Sequence, residues 1–315
     1  MQTMALTRRL PSPVEDVVAQ RYILARNTDD AAWTRADWAA CDADAILCTV
    51  TDCVDAAVIA SLAPRVRLLA NFGVGVSHID LDAAKARGIA VSNTPDVLTE
   101  ATADIAMLLL LGAARRAGEG EATMRARAWQ GWAPTAMLGT HLGGKTLGVY
   151  GMGRIGEATA ARAVGFGMRI VYHARSPRHD LRFPADFIAD ADDFWPRCQF
   201  LSLHAPLTDA TRGLIGAAVI ERLPPGAIVV NTARGELIDD DALIAALESG
   251  RIGAAGLDVF TGEPAFDARY AALPNTFLLP HLGSATTETR TAMGLRALAN
   301  ADAFFGGHEM PDRVV

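Results

Sequence analysis

Arg234, Glu263 and His281 each follow a short apolar run, in Asn231-Thr-Ala-Arg-Gly-Glu-Leu-Ile-Asp239, Leu257-Asp-Val-Phe-Thr-Gly-Glu-Pro264 and Leu279-Pro-His-Leu-Gly-Ser-Ala-Thr286. Each run reads as a buried parallel strand, and open α/β sheets bind ligands beyond the carboxyl ends of their strands. An anion clamp, a carboxylate and an imidazole at three strand ends therefore point to one site on one side of a sheet. A carboxylate bonded to an imidazole fixes its tautomer, and such a histidine can give a proton to a carbonyl oxygen and take it back. Arg234 offers a forked donor for a carboxylate and can polarise a carbonyl beside it. A histidine after a strand is more often structural, and the three charges alone suit hydrolysis as well as redox chemistry.

The segment upstream narrows that choice. Gly151, Gly153 and Gly156 directly follow the apolar Thr146-Leu-Gly-Val-Tyr150 and open a helical pattern from Glu157 to Val164. This is the context that a dinucleotide-binding turn demands. The first glycine makes the turn, the second admits the pyrophosphate, and the third lets helix and strand pack. The amides of Arg154 and Ile155 then meet the phosphates at the helix N-terminus. With a dinucleotide present, the three charges fit proton-coupled hydride transfer. A site selective for NAD(H) places an acid at the end of the second strand. Here the chain reads Ile170-Val-Tyr-His-Ala-Arg-Ser-Pro177, with no acid until Asp180. Arg175 and Ser176, with Arg178, cluster where a 2′-phosphate lies, and an arginine fork suits phosphate. The sequence thus favours NADP(H), with NAD(H) as the other possibility.

These groups must be held by a regular frame. Strand-like and helix-like segments alternate along the chain, which predicts an α/β fold with doubly wound parallel sheets. Ala45–Val50, Val66–Ala70 and Ile89–Ser92 read as strands of a first unit. A second unit runs from Thr146–Tyr150 through strands near 169–172, 200–203, 228–230, 253–257 and 276–279. A pattern rich in Ala, Leu and Arg predicts one long helix from Thr99 to about Ala126. The last helix, about Thr286 to Phe305, has no strand after it, so it is expected to return to the first unit. The expected domains are residues 1–99 with 287–315, a discontinuous substrate domain, and residues 100–286, a Rossmann cofactor domain, with a cleft between them. A length of 315 residues suits two domains.

The net charge of −7 is spread without a basic block, which argues against nucleic acid as a partner. The apolar stretch Ile105 to Ala114 is too short to span a bilayer, and no apolar segment follows Arg8 and Arg9 as in a secretory signal. The four cysteines lack metal-ligand spacing, so no metal site is expected, and they read as reduced thiols of a cytoplasmic protein. With ten residues after the last helix, no C-terminal regulatory domain is expected.

Taken together, the glycine turn and the three charged segments resemble the D-2-hydroxyacid dehydrogenase family, and within it the glyoxylate/hydroxypyruvate reductases. The resemblance runs from Leu10-Pro-Ser-Pro13 to Glu309-Met-Pro311. It implies a flavodoxin-like substrate domain, and Arg234, Glu263 and His281 as the catalytic set. Asn71-Phe-Gly-Val-Gly-Val-Ser-His-Ile-Asp80 matches the family's substrate loop, which implies that the amides of Val74 and Gly75 hold the substrate carboxylate. Thr102, near the start of the long helix, is implied to touch the cofactor, and Asp258 to bond the nicotinamide carboxamide. The segment from His204 through Pro206, the pair Thr232 and Ala233, and Gly283 match positions lining the cofactor. The resemblance further implies a homodimer built partly by the helix from Thr99.

Several branches of the family fit less well. Formate dehydrogenases pair the histidine with glutamine, phosphite dehydrogenases carry a lysine in the substrate loop, and long phosphoglycerate dehydrogenases add a C-terminal domain. Trp129-Gln-Gly-Trp132-Ala-Pro134 resembles a tryptophan segment of the glyoxylate/hydroxypyruvate reductases that lies near the dimer interface. An aromatic wall there favours small substrates, but packing or dimer contact alone is an equally good account of Trp129 and Trp132. The expected reaction is reduction of a small 2-oxo acid, glyoxylate or hydroxypyruvate, with His281 as proton donor. A dinucleotide-binding regulatory protein of the same fold is the alternative, since such proteins keep the catalytic set. A methyltransferase that uses the turn for S-adenosylmethionine gives the three charges no role.

Overall fold

The computed structural model describes all 315 residues, which form two compact units. The first comprises Met1–Leu98 and Ala285–Val315, the second Thr99–Ser284. Both are built on parallel sheets, as the alternating pattern predicts.

The first unit holds five strands, β1 (Thr3–Leu6), β2 (Ile23–Arg26), β3 (Ala45–Thr49), β4 (Leu68–Phe72) and β5 (Ala90–Ser92), in the order β2-β1-β3-β4-β5. All pair in parallel, which is the doubly wound flavodoxin-like order. The middle strands are continuous apolar runs because helices cover both faces; every residue of β4 is buried. β2 lies at the sheet's edge and is mostly exposed. The helix Thr287–Phe305 is capped by Thr286, whose hydroxyl accepts the Thr289 amide at 3.0 Å, and it packs on β4 and on the helix Ser12–Arg21. Gly294 permits the second contact, since a Cβ there would lie 2.5 Å from Val14.

The second unit holds β6 (Thr146–Tyr150), β7 (Arg169–His173), β8 (Asp186–Phe187), β9 (Phe200–Leu203), β10 (Ala227–Asn231), β11 (Ile252–Leu257) and β12 (Thr276–Leu278). Their order is β12-β11-β10-β9-β6-β7-β8. Counted from β6, this is the Rossmann order with a seventh strand added, and the strand order reverses between β6 and β9. β10 is buried throughout, but β12 is a half-buried edge strand rather than the buried one expected before His281.

The helix predicted from Thr99 to about Ala126 is two helices, Thr99–Ala114 and Ala117–Arg125. The Ala114 carbonyl accepts the Thr140 amide at 2.8 Å instead of continuing the helix, and Arg116 turns left-handed at φ 54°. Gly139 lets the strand of chain bearing Thr140 approach, since a Cβ there would sit 2.4 Å from the Ala114 oxygen. No helix is long and apolar enough to cross a membrane.

Candidate active site

The turn after β6 is shaped by three different glycine requirements. Gly151 has φ 99°, and a Cβ there would lie 2.8 Å from the His204 carbonyl carbon and the Ala205 nitrogen. Gly156 is pressed against the strand, with 2.2 Å from its absent Cβ to the Gly151 oxygen. Gly153 differs from both: its absent Cβ has nothing within 4 Å. It is the N-cap of the helix Arg154–Gly165 and supplies no side-chain cap. The first amides of a helix find no partner within it, so this helix opens toward the space beside Gly153. That is a cradle for an anion.

The rest of the cradle comes from neighbouring strand ends. His204 follows β9, with Nε2 2.8 Å from Ser202 Oγ, and burial lowers its pKa to about 4, so the ring is neutral at neutral pH. Ala205 is buried and Pro206 exposed beside it. Thr232 and Ala233 follow β10, and the buried Thr232 Oγ1 has no hydrogen-bond partner in the chain. An orphaned buried hydroxyl at this place fits a bound polar group. Thr102 is buried and donates to the Gly283 carbonyl at 3.1 Å, which pins the helix Thr99–Ala114 to the loop after β12. The residues present therefore fit a dinucleotide.

Beyond β7 the arginines separate. Arg175 and Ser176 are exposed, and Arg175 forms no ion pair. Arg178, expected to join the phosphate clamp, is instead folded back onto Glu157 (2.9 Å), Asp180 (2.8 Å) and the Met152 carbonyl (3.1 Å). The carboxylates of Glu157 and Asp180 outcompete solvent for its fork. Asp180 is thereby occupied as well, and the hydrogen bond from Arg178 holds it below the ordinary carboxylate range.

The three charged residues stand after the adjacent strands β10, β11 and β12. His281 Nδ1 lies 2.7 Å from Glu263 Oε2, and Glu263 Oε1 accepts the Phe260 amide at 2.8 Å. A carboxylate only accepts, so Nδ1 carries the hydrogen and Nε2 is left for another partner. Burial pushes the Glu263 carboxyl up, but the hydrogen bond and charge of His281, the Phe260 amide and Arg234 together hold it below its usual value. His281 is left-handed at φ 53°, a conformation costing a non-glycine residue about 1–2 kcal/mol. Its amide donates to the Asp258 carbonyl at 2.9 Å, and the next two amides, Leu282 and Gly283, donate to the Asp258 carboxylate at 2.6 and 2.8 Å. Burial nevertheless raises Asp258 to about 6, against those two bonds and the charge of His281.

Arg234 is placed by its loop. Asn231 accepts the Ala233 amide at 2.9 Å and donates to the Arg234 carbonyl at 2.7 Å, bracketing the turn. Gly235 lies against the Phe260–Thr261 backbone, where a Cβ would be 2.0 Å from the Phe260 carbonyl carbon. That contact seats the arginine loop on the loop of Glu263. Burial lowers the Arg234 pKa, opposed by Glu236 and Glu263. The guanidinium keeps its charge because arginine starts so high.

In the first unit, the loop after β4 turns its carbonyls inward. Asn71 Nδ2 donates to the Gly73 and Gly75 carbonyls at 2.9 and 3.0 Å, the Thr94 amide donates to Gly73 at 3.0 Å, and Asn93 Nδ2 donates to Val74 at 2.9 Å. The amides of Val74 and Gly75 donate to no group of the chain.

Comparison with known proteins bears on what such geometry serves. Residues 107–283 match the family model described as D-isomer specific 2-hydroxyacid dehydrogenase, NAD binding domain. The chain belongs to the D-isomer-specific 2-hydroxyacid dehydrogenases. This dehydrogenase is 49% identical to a glycerate dehydrogenase of Hyphomicrobium methylovorum over 270 residues, 85% of this chain and 84% of the relative. It is 44% identical to a glyoxylate reductase of Thermococcus litoralis, over 87% of this chain and 84% of the relative. Among solved structures, an NADPH-dependent glyoxylate/hydroxypyruvate reductase of Sinorhizobium meliloti in complex with NADP and malonate superposes with a TM-score of 0.88 at 34% identity, covering 100% of this chain and 97% of that one. The protein is thus an oxidoreductase acting on 2-hydroxy acids, with a dinucleotide-binding domain.

Sequence reading of the dehydrogenase missed the residues that aim its charged groups. Asn231, three residues before Arg234, and Gly235, directly after it, carry a readable signal: asparagine bonds its own backbone in turns, and glycine admits close backbone contact. Asp240, which accepts from Tyr270 Oη at 2.8 Å and so ties down the far end of the Glu263 loop, has no such signal.

Proposed function

We propose that this dehydrogenase reduces a small 2-oxo acid, glyoxylate or hydroxypyruvate, with NADPH as the preferred reductant, and that His281 supplies the proton. The observation that carries the proposal is the His281–Glu263 pair, with Nδ1 engaged and Nε2 open, beside Arg234. When bound, a nicotinamide dinucleotide supplies the hydride. Gly151, Gly153 and Gly156, the amides of Arg154 and Ile155, and Thr102, His204, Pro206, Thr232, Ala233 and Gly283 would hold it, and Asp258 would bond its carboxamide. Arg234 grips the acid and polarises its carbonyl, and the Val74 and Gly75 amides hold its carboxylate. As C2 gains the hydride, its oxygen takes the proton from His281 Nε2, and the product is the 2-hydroxy acid. Glu263 keeps the ring oriented throughout.

The choice of a small acid is supported by the relatives named for glyoxylate and glycerate, the latter being the 2-hydroxy acid of hydroxypyruvate. Preference for NADPH is supported by the unpaired, exposed Arg175 with Ser176, and by the absence of an acid at the end of β7. A homodimer is also proposed, because Leu108, Met124, Trp129 and Trp132 expose large apolar surfaces on one stretch of chain; light scattering in solution checks it. Four free cysteines suit a cytoplasmic protein.

A kinetic panel of glyoxylate, hydroxypyruvate, pyruvate and phenylpyruvate, each with NADH and NADPH, tests the proposal. The highest kcat/KM is expected for glyoxylate or hydroxypyruvate with NADPH. A clear preference for phenylpyruvate or for NADH refutes the corresponding half, and no turnover with any pair refutes the whole.

A further inference from the structure

A trans peptide is planar, so its N–H points opposite to the carbonyl of the preceding residue. The direction of the Val74 amide is therefore set by whatever holds the Gly73 carbonyl, and that of the Gly75 amide by whatever holds the Val74 carbonyl. Two donors hold Gly73, the Thr94 amide and Asn71 Nδ2. Val74 has one, Asn93 Nδ2 at 2.9 Å.

Asn93 is itself fixed on both sides. Its amide donates to the Asp312 carbonyl at 3.2 Å, and its carbonyl accepts from Asn300 Nδ2 at 3.3 Å. Asp312 and Asn300 lock one another: the Asp312 amide donates to Asn300 Oδ1 at 2.8 Å, and Asn300 Nδ2 to Asp312 Oδ2 at 2.9 Å. Arg296 grips both carboxylate oxygens of Asp312, at 2.6 and 2.8 Å. The same segment lies along the open edge of β5, with an antiparallel bridge between Ser92 and Arg313. Asn300 and Asp312 are buried, so these bonds are sheltered from water.

We infer that Asn93 is a positioning residue for the substrate carboxylate: it aims the Gly75 amide by holding the Val74 carbonyl, and Asp312 with Asn300 holds Asn93. The inference rests on the reading that the Val74 and Gly75 amides receive the acid. Without the Asn93 amide group, the Val74 carbonyl turns to solvent and its peptide is free to rotate. Neither Asn93 nor Asp312 touches the acid itself.

Steady-state kinetics of Asn93→Ala and of the isosteric Asn93→Asp, with glyoxylate and NADPH each varied, test the inference. Loss of one hydrogen bond of about 0.5–1.5 kcal/mol corresponds to a rise of about 2- to 12-fold in KM for glyoxylate. Asn93→Asp is expected to raise it further, since a carboxylate then faces the Val74 carbonyl. KM for NADPH and kcat should stay at wild-type values in both, a split that mere loss of stability does not produce. Gly75→Pro, which deletes the amide in question, provides the reference. If Gly75→Pro raises KM for glyoxylate and both Asn93 variants keep the wild-type value, the positioning role is overturned and the amide reading stands. A wild-type KM in Gly75→Pro overturns the amide reading and the inference with it.

Discussion

Beyond β6 the dinucleotide cradle is defined by atoms that are missing, whereas beyond β10, β11 and β12 the site is defined by charged side chains held in place. At the first, three glycines and a run of helix amides shape the turn, and the open space beside Gly153 is the feature proposed for the ligand. At the second, Arg234 needs Asn231 and Gly235, and His281 needs Glu263 and Asp258. The contrast is one of cost. Backbone amides at a helix end are polar without added charge or strain. The charged end keeps a partly buried guanidinium, a raised aspartate and a left-handed histidine, each made tolerable by a neighbour.

Substitutions at the two ends should therefore fail differently. The largest effect is expected from His281→Ala, a loss of about 10²- to 10⁴-fold in kcat. Cofactor affinity, followed by fluorescence titration, should be nearly unchanged in that variant. A smaller and opposite pattern is expected from Gly153→Ala. Its backbone suits alanine and no protein atom is in the way, so the melting temperature should hold while the cofactor Kd rises by the equivalent of about 1–3 kcal/mol. Gly156→Ala should reverse this by lowering the melting temperature, because its Cβ meets the Gly151 oxygen. If Gly153→Ala and Gly156→Ala behave alike in both assays, the distinction between ligand space and packing space is wrong.

Arg175→Ala comes next in size. Loss of a charged hydrogen bond of about 1.5–3 kcal/mol should cut the NADPH-to-NADH preference by about tenfold or more. Arg178→Ala should leave that ratio alone, since Arg178 serves Glu157 and Asp180. The ratio of kcat/KM values for the two cofactors decides between them.

The smallest effect concerns pH, and the two ends oppose one another. Asp258 is raised from 3.8 to about 6. The folded chain then holds this proton more tightly than the unfolded one, so stability falls as pH rises across that window. His204 is lowered from 6.5 to about 4, and its contribution rises with pH over nearly the same range. Relative to wild type, the cofactor-free melting temperature of Asp258→Asn should slope upward between about pH 4 and 6, and that of His204→Gln downward. Parallel slopes in the two variants would contradict both assignments.

How much of this could be read beforehand also differs between the ends. The glycine turn is legible because its mechanism fixes both spacing and context, and the apolar runs of β3, β4, β6, β9 and β10 announce themselves. β1 does not, and β2 is too exposed to carry an apolar run. The break at Arg116 is hidden because its cause, the Thr140 amide on the Ala114 carbonyl, lies far along the chain. Arg175 and Arg178 look equivalent in sequence. Only the fold shows that Glu157, on the helix after the glycine turn, claims the second. The charged trio is legible by residue type at strand ends, but the groups that aim it are ordinary asparagines, aspartates and glycines whose roles depend on tertiary contact.

The central claim is that His281 gives the proton and Glu263 only holds the ring, and the pH dependence of kcat/KM for glyoxylate reduction tests it most directly. A general acid must carry its proton, so the wild-type enzyme should lose activity along an alkaline limb. In Glu263→Gln that limb should persist at a lower rate, and in His281→Ala it should disappear, leaving a slow, flat profile. An alkaline limb that survives unchanged in His281→Ala would assign the proton to another group and contradict the account.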